Sequence, residues 1–295
     1  MRNFFRILWR FITLPFRAIW WLVSLPFKSI RKIHRFLTTE PEDRPISEAL
    51  VDTVQQPSAL FEHIEALRRH LTRMLIGLLL CVGVMFFFTP QLVDILARPI
   101  GGISALKAID VTESIGAFMR VALLGAVAVC SPYLAFELWL FAAPGLRSRE
   151  RIVGLVAIPL VLIFFVGGML FAYFILMPPA LKFLLHFMGI QTIPRPSTYI
   201  GFVTGILFWI GVTFEFPLVI YVLTLMGIVK PQALLKQWRI AIVVIAVAAA
   251  AITPTTDPIN MSLVMGPMIA LYFISIGLGY LALTARRERA KKAEQ

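Results

Sequence analysis

"YIGFVTGILFWIGVTFEFPLVIYVLTLM", residues 199–226, carries a single charged side chain, Glu215, in a run longer than the ~20 residues that cross a hydrocarbon core. A charge at the centre of a membrane helix costs roughly 2.5–3.5 kcal/mol on insertion scales, so its presence asks for a reason. Pro217, two residues on, has no N–H, which leaves the Thr213 carbonyl without its helical partner and permits a bend. A protonated Glu215 can donate a local hydrogen bond, whereas an ionised one needs water or a cation. The residue also reads simply as an acid satisfied inside a helix bundle.

The same apolar pattern recurs along the chain. Its 295 residues are 59% hydrophobic and 15% charged, with mean hydropathy +0.85, against about 25% charged residues in a soluble domain. Six spans are predicted, at about 71–89, 118–142, 152–177, 199–226, 239–252 and 260–283. The ~10-residue alternating segments of a β-barrel are absent. The expected fold is therefore an all-α polytopic membrane protein with six transmembrane helices. The fifth, "RIAIVVIAVAAAAIT", has about 13 clean apolar residues, or roughly 20 Å against a ~30 Å core. The sixth is interrupted early by "MGP" at 265–267. Short fifth and sixth helices imply a thinned bilayer or a cavity open to water.

The net charge is +12. Arg147, Arg149 and Arg151 lie in the 2–3 loop, Lys230, Lys236 and Arg239 in the 4–5 loop, and "ARRERAKKAEQ" ends the chain. The other loops are poorer in Lys and Arg, so both termini are expected in the cytoplasm. Residues 1–38 hold eight Lys/Arg and no acid, interleaved with aromatics, and "LPFR" at 14–17 recurs as "LPFK" at 25–28. They read as N-terminal interfacial amphipathic helices that lie on anionic lipid rather than as a seventh span. Residues 39–58 read as a polar linker, 59–285 as the membrane domain and 286–295 as a basic tail. No nucleic-acid motif occurs. Cys81 and Cys130 lie in apolar runs without metal-like spacing and read as small buried hydrophobes.

Three polar stretches flank the spans. In "FEHIEALRRHL", 61–71, Glu62 and Glu65 share a helical face, and Glu65 is spaced to pair with Arg68 or Arg69. In "FAAPGLRSRERI", 141–152, Glu150 stands among arginines, either balancing them or accepting a guanidinium fork from a partner. "TPTTDP", 253–258, has turn chemistry, with Asp257 placed to cap the sixth helix. No catalytic constellation, metal motif or phosphate loop is present, so neither an enzyme nor a cofactor is expected.

Together these landmarks resemble the TatC family, receptor subunits of the Sec-independent twin-arginine protein translocase. The resemblance covers about residues 58–285. It rests on "HIEALRRHL", "RPI" at 98–100, "VTES" at 111–114, "FAAPGLRSRERI", "FAYFILMPPALKFLL" at 171–185, "FEFP" at 214–217 and "ITPTTDP". It implies a multi-pass protein of the bacterial cytoplasmic membrane that binds twin-arginine signal peptides of folded proteins. Such a subunit joins TatA and TatB-like subunits in a multimeric complex driven by the proton-motive force. Carried over, Glu150 matches the glutamate that recognises the arginine pair, with Phe141 and Pro144 beside it. Arg68 matches the arginine before helix 1, Pro99 the loop proline and Glu215 the helix-4 glutamate. Thr253 and Asp257 fall in the segment associated with polar contacts to partner helices.

The sequence departs from that pattern in places. The usual second recognition glutamate is Ala66 here, with Glu65 one residue earlier, about 100° around the helix. "PGLY" is "PGLR", and a frequent glutamine near helix 6 is Met261. The alternatives are a proton-coupled secondary transporter using Glu215, for which no internal repeat is found, and a pure membrane scaffold.

Overall fold

The computed structural model describes residues 57–145, 148–185, 192–252 and 258–293. Among them the chain is helical and contains no strand. The helices are α1 (Pro57–Met85), α2 (Thr89–Ala97), α3 (Thr112–Ala142), α4 (Ser148–Phe171), α5 (Met177–Leu185), α6 (Pro196–Leu225), α7 (Pro231–Lys236), α8 (Trp238–Ile252) and α9 (Pro258–Ala293). The extension at 1–38 and the linker up to residue 56 lie outside the described residues.

Four stretches are long and apolar enough to cross a membrane: Thr112–Ala142, Arg151–Leu185, Pro196–Leu225 and Met261–Thr284. A fifth is added if the pair His63–Met85 and Thr89–Ile100, bent by 74°, forms one span. The bend falls where the first predicted span ends. Pro90 lacks the N–H that would pair with Phe86 O, and just before it Met85 O accepts from the Phe88 N–H and the Thr89 hydroxyl.

α8 has 15 residues, about 22 Å at 1.5 Å per residue, and is short as the sequence predicts. The last span covers the residues predicted for it, but it is not cut short by an interruption as the sequence suggests. α9 continues through Gly266 and Pro267, and its apolar stretch runs for 24 residues. One missing N–H costs one bond, and α9 packs along α6, which holds the turn in place. The third predicted span is longer than expected, because a wide π turn at Ala172–Leu176 joins α4 to α5 without a break.

The chain divides into two compact units. One comprises the described residues up to Ile76 with Phe136–Leu155; the other comprises Gly77–Ala135 and the chain from Val156 onward. In the second unit α6 is the central helix. Ile200, Val203, Ile206 and Ile210 recur at helical spacing and are buried with Val121, Leu124, Leu176 and Met177.

Around one end of α6 the second unit is laced by backbone-directed bonds. The Tyr173 and Tyr199 hydroxyls donate to the Ile95 and Leu96 carbonyls, each at 2.7 Å. Arg120 donates to Ser197 O at 3.2 Å, and the Lys107 N–H to Pro194 O at 3.2 Å. Pro99 lies in the tight turn Arg98–Ile100, which Gly101 closes at φ 96°, a left-handed value that favours glycine. Asp110 accepts the Thr112 N–H at 3.0 Å, capping α3, and that bond holds its carboxyl below the usual range.

α4 meets α6 at a pair of glycines. A Cβ on Gly168 would lie 2.9 Å from the Gly211 Cα, which is backbone and cannot rotate away. Gly168→Leu is therefore expected to cost about 1–3 kcal/mol by overpacking, read as a lower thermal midpoint in detergent. Gly83→Ala, where a Cβ meets nothing within 4 Å, serves as the unperturbed control.

Candidate functional site

The first unit brings together two segments far apart in sequence, the α1 stretch ending at Ile76 and the α3–α4 junction. His63 and His70 are seven residues apart and share one face of α1. Glu137 and Phe141 are four apart and share one face of α3. These faces meet. His70 Nδ1 lies 2.6 Å from Glu137 Oε2, with side chains 15% and 6% exposed. The Phe141 ring centroid lies 4.7 Å from that of His63 and 6.1 Å from that of His70.

At the junction itself, α3 ends at Ala142 and a tight turn follows over Ala143–Gly145. A helix end leaves carbonyls without partners. The buried Arg151 meets this need: Nε donates to Ala143 O at 2.8 Å and Nη2 to Pro144 O at 3.4 Å. In return, Trp139 Nε1 donates to Arg151 O at 3.1 Å. Arg151, which the sequence suggests is one loop cation among three, thus fastens the junction.

The expected recognition residues are distributed on and around this frame. Phe141 is half-buried in it, and Pro144 is exposed in the turn. Glu65 is on the surface of α1, where Arg68 Nη2 approaches its Oε1 to 2.7 Å. Those side chains are 73% exposed for Arg68 and 49% for Glu65, and such pairs contribute about 0–1 kcal/mol. Glu65 also lines a shallow depression of about 510 Å³ with Phe61, Ile64 and Arg69. The Glu62 and Glu150 side chains lie outside the described residues, although the Glu150 backbone belongs to the first turn of α4.

The remaining expected residues belong to the second unit. Both Glu215 carboxylate oxygens are buried with no hydrogen-bond partner among the described residues. The helix passes unbroken through Pro217, while the Thr213 hydroxyl donates to Trp209 O at 2.8 Å. Thr253 and Asp257 lie outside the described residues. Glu113, within "VTES", is 5% exposed under the Arg195 guanidinium; Arg195 Nε donates to Glu113 Oε1 at 2.9 Å, and Nη2 contacts the same oxygen. Glu113 holds the Arg195 guanidinium above its ordinary value. Among the described residues no group of His, Cys, Asp or Glu is arranged to hold a metal.

Sequence reasoning missed His70, Glu137, Arg151 and the Glu113–Arg195 pair. The spacings that place His63 with His70 and Glu137 with Phe141 on common faces were the available signal.

Residues 62–267 match the family described as "Sec-independent protein translocase protein (TatC)". The protein of that name from Koribacter versatilis is 33% identical over 264 residues, covering 86% of this chain and 96% of its own. The one from Carboxydothermus hydrogenoformans is 34% identical over 224 residues, covering 75% and 92%. Among solved structures, a crystal structure of the twin-arginine translocase receptor TatC superposes with a TM-score of 0.66 at 32% identity. It covers 75% of this chain and 99% of that one.

If the His70–Glu137 bond holds the first unit together, removing either side chain weakens that unit. Glu137→Ala and His70→Ala are each expected to cost about 1–3 kcal/mol. Thermal unfolding of the detergent-solubilised variants measures this, and the double variant should cost less than the sum.

Proposed function

The chain belongs to the TatC family of Sec-independent protein translocase proteins, and from that premise we propose how it works as the receptor subunit of a twin-arginine translocase. Folded passengers carry signal peptides with two arginines. Glu150 takes one guanidinium in a bidentate fork, and Glu65, in place of the family glutamate that is Ala66 here, contributes to holding the other. Glu62 lies one turn before it, and Arg68 keeps Glu65 in position until a peptide guanidinium competes. Phe141 and Pro144 contribute neighbouring surface from the segment that carries Glu150.

The observation that supports this most directly is the compact first unit, in which "HIEALRRHL" meets "FAAPGLRSRERI" through His63–Phe141 and the α3 turn before it through His70–Glu137. Exposed ion pairs are individually weak. Selectivity for arginine therefore needs several carboxylate contacts on a stiff frame, which a lysine could not match in geometry. In this proposal the subunit does no covalent chemistry.

The membrane protein would sit in the bacterial cytoplasmic membrane with both termini and the α3–α4 junction in the cytoplasm. The bent α1–α2 pair and the short α8 would then complete six spans. It would assemble with TatA and TatB-like subunits as a multimeric complex driven by the proton-motive force, and residues 1–38 would lie on anionic lipid. Glu215, Thr253 and Asp257 are assigned to polar contacts within the membrane or with partner helices. The family relationship lends no support to a proton-coupled transporter built on Glu215.

With the protein inserted normally, Glu150→Ala is expected to abolish export of a twin-arginine reporter and crosslinking of its signal peptide. Normal export by that variant would overturn the proposal. Glu65→Ala should impair crosslinking more than Glu62→Ala; equal and negligible effects would remove Glu65 from the site.

A further inference from the structure

Cys81 in α1 and Cys130 in α3 are the two cysteines of the chain, and neither takes part in the proposed recognition site. Within the second unit they meet. Gly77, Cys81 and Met85 are spaced four residues apart and share one face of α1. A Cβ on Gly77 would run into the Tyr133 ring, and one on Gly125 into the Met85 side chain. These contacts set α1 antiparallel to α3, with Gly77 opposite Tyr133 and Met85 opposite Gly125, and put Cys81 level with Cys130. The two thiols hydrogen-bond to each other.

Their surroundings differ. Cys130 is 2% exposed, whereas Cys81 is half-buried and not enclosed as its apolar run suggests. Leu79 and Leu80 beside it are 61% and 52% exposed, so with α1 as a membrane span this stretch faces lipid. A reagent dissolved in the membrane therefore reaches Cys81 first. Reactivity of a thiol follows its accessibility, which separates the two roles. Among the described residues no third His, Cys, Asp or Glu joins them, so the pair lacks the ligand set of a structural zinc site.

An accessible thiol backed by a second one is the arrangement in which oxidation ends at a disulfide. We propose that Cys81 and Cys130 are a redox-modified pair: a hydroperoxide dissolved in the membrane oxidises Cys81, and Cys130 then closes a disulfide between α1 and α3. In the first step the Cys81 sulfur bonds to the terminal oxygen of the hydroperoxide and the O–O bond breaks. The thiol proton leaves with the alkoxide as an alcohol. In the second step the Cys130 sulfur attacks the sulfur of the Cys81 sulfenic acid, the S–O bond breaks, and hydroxyl and proton leave as water. Two thiols and one hydroperoxide thus give a disulfide, an alcohol and water, with two electrons passing from sulfur to the peroxide oxygens. With no further cysteine in the chain, the link has one intramolecular form.

The test uses the full chain in phosphatidylcholine nanodiscs treated with cumene hydroperoxide. Its intact mass should fall by two hydrogens, and peptide mapping should recover the Cys81 and Cys130 peptides joined, then released by a thiol reductant. This measurement needs no variant. Cys130→Ser should stop at the sulfenic acid, which dimedone traps on Cys81, while Cys81→Ser should give no adduct on Cys130. Oxidation should also raise the thermal midpoint of the wild-type chain and of neither variant, because only the wild type gains a cross-link. Thiols that stay free in the treated wild-type chain would overturn the inference. So would dimedone capture at Cys130 ahead of Cys81, Cys81 carried to the sulfinic acid with Cys130 still free, or disulfides that join two chains instead of two helices.

Discussion

Inside hydrocarbon no water is available to peptide groups, so every backbone N–H and C=O must find its partner within the protein. The rest of the architecture follows from that constraint. It accounts for the helical described chain and for the way each interruption is repaired. At the α1–α2 bend the Thr89 hydroxyl and the Phe88 N–H answer the Met85 carbonyl. Beyond α2, Tyr173 and Tyr199 reach back to the carbonyls of Ile95 and Leu96. At the α3–α4 junction Arg151 does the same for Ala143. Breaks occur where a side chain can substitute for the missing backbone partner.

The same constraint sorts the charged residues by what they face. Glu137 has His70, and Glu113 has Arg195; each carboxylate is drawn out of water beside a basic group on another segment. Removing one partner from such a pair is costly because the other stays buried, even where the intact pair adds little net stability. Glu215 stands apart, with neither oxygen bonded among the described residues. The proposal therefore assigns it to polar contacts within the membrane or with partner helices, and not to the frame. Glu65, by contrast, is exposed and paired with an exposed Arg68, which suits the role proposed for it, since an incoming guanidinium can displace such a neighbour.

Much of this was legible from the residues. Long apolar runs gave the helices, and the fifth, with about 13 clean apolar residues, proved as short as its composition implies. What a one-dimensional reading misjudged was the effect of proline inside membrane helices. "MGP" lies inside the unbroken α9, because neighbouring helices hold a turn that a soluble peptide would lose, whereas Pro217 sits within one continuous span as expected. The buried pairs were illegible for another reason. His70 and Glu137 are 67 residues apart, and their pairing depends on which helix faces meet, which periodicity limits but does not decide. Arg151 was misread because a basic loop looks uniformly solvated, whereas the α3 terminus needs one donor and takes the arginine best placed to provide it.

Stiffness at that junction bears on how a surface site can discriminate arginine from lysine. In water a single carboxylate holds either cation by less than about 1 kcal/mol, too little to choose between them. Discrimination comes from the fork, and a fork works only if two acceptor directions are fixed before the ligand arrives. On a free loop that order would have to be created at binding, with a cost of about 0.5–1.5 kcal/mol for each side chain immobilised. Arg151, Trp139, the His70–Glu137 bond and the Phe141 stack remove much of that cost in advance by tying the turn to two helices. In the proposed site, carboxylates can select a guanidinium pair because the turn that carries them is tied to two helices before the ligand arrives.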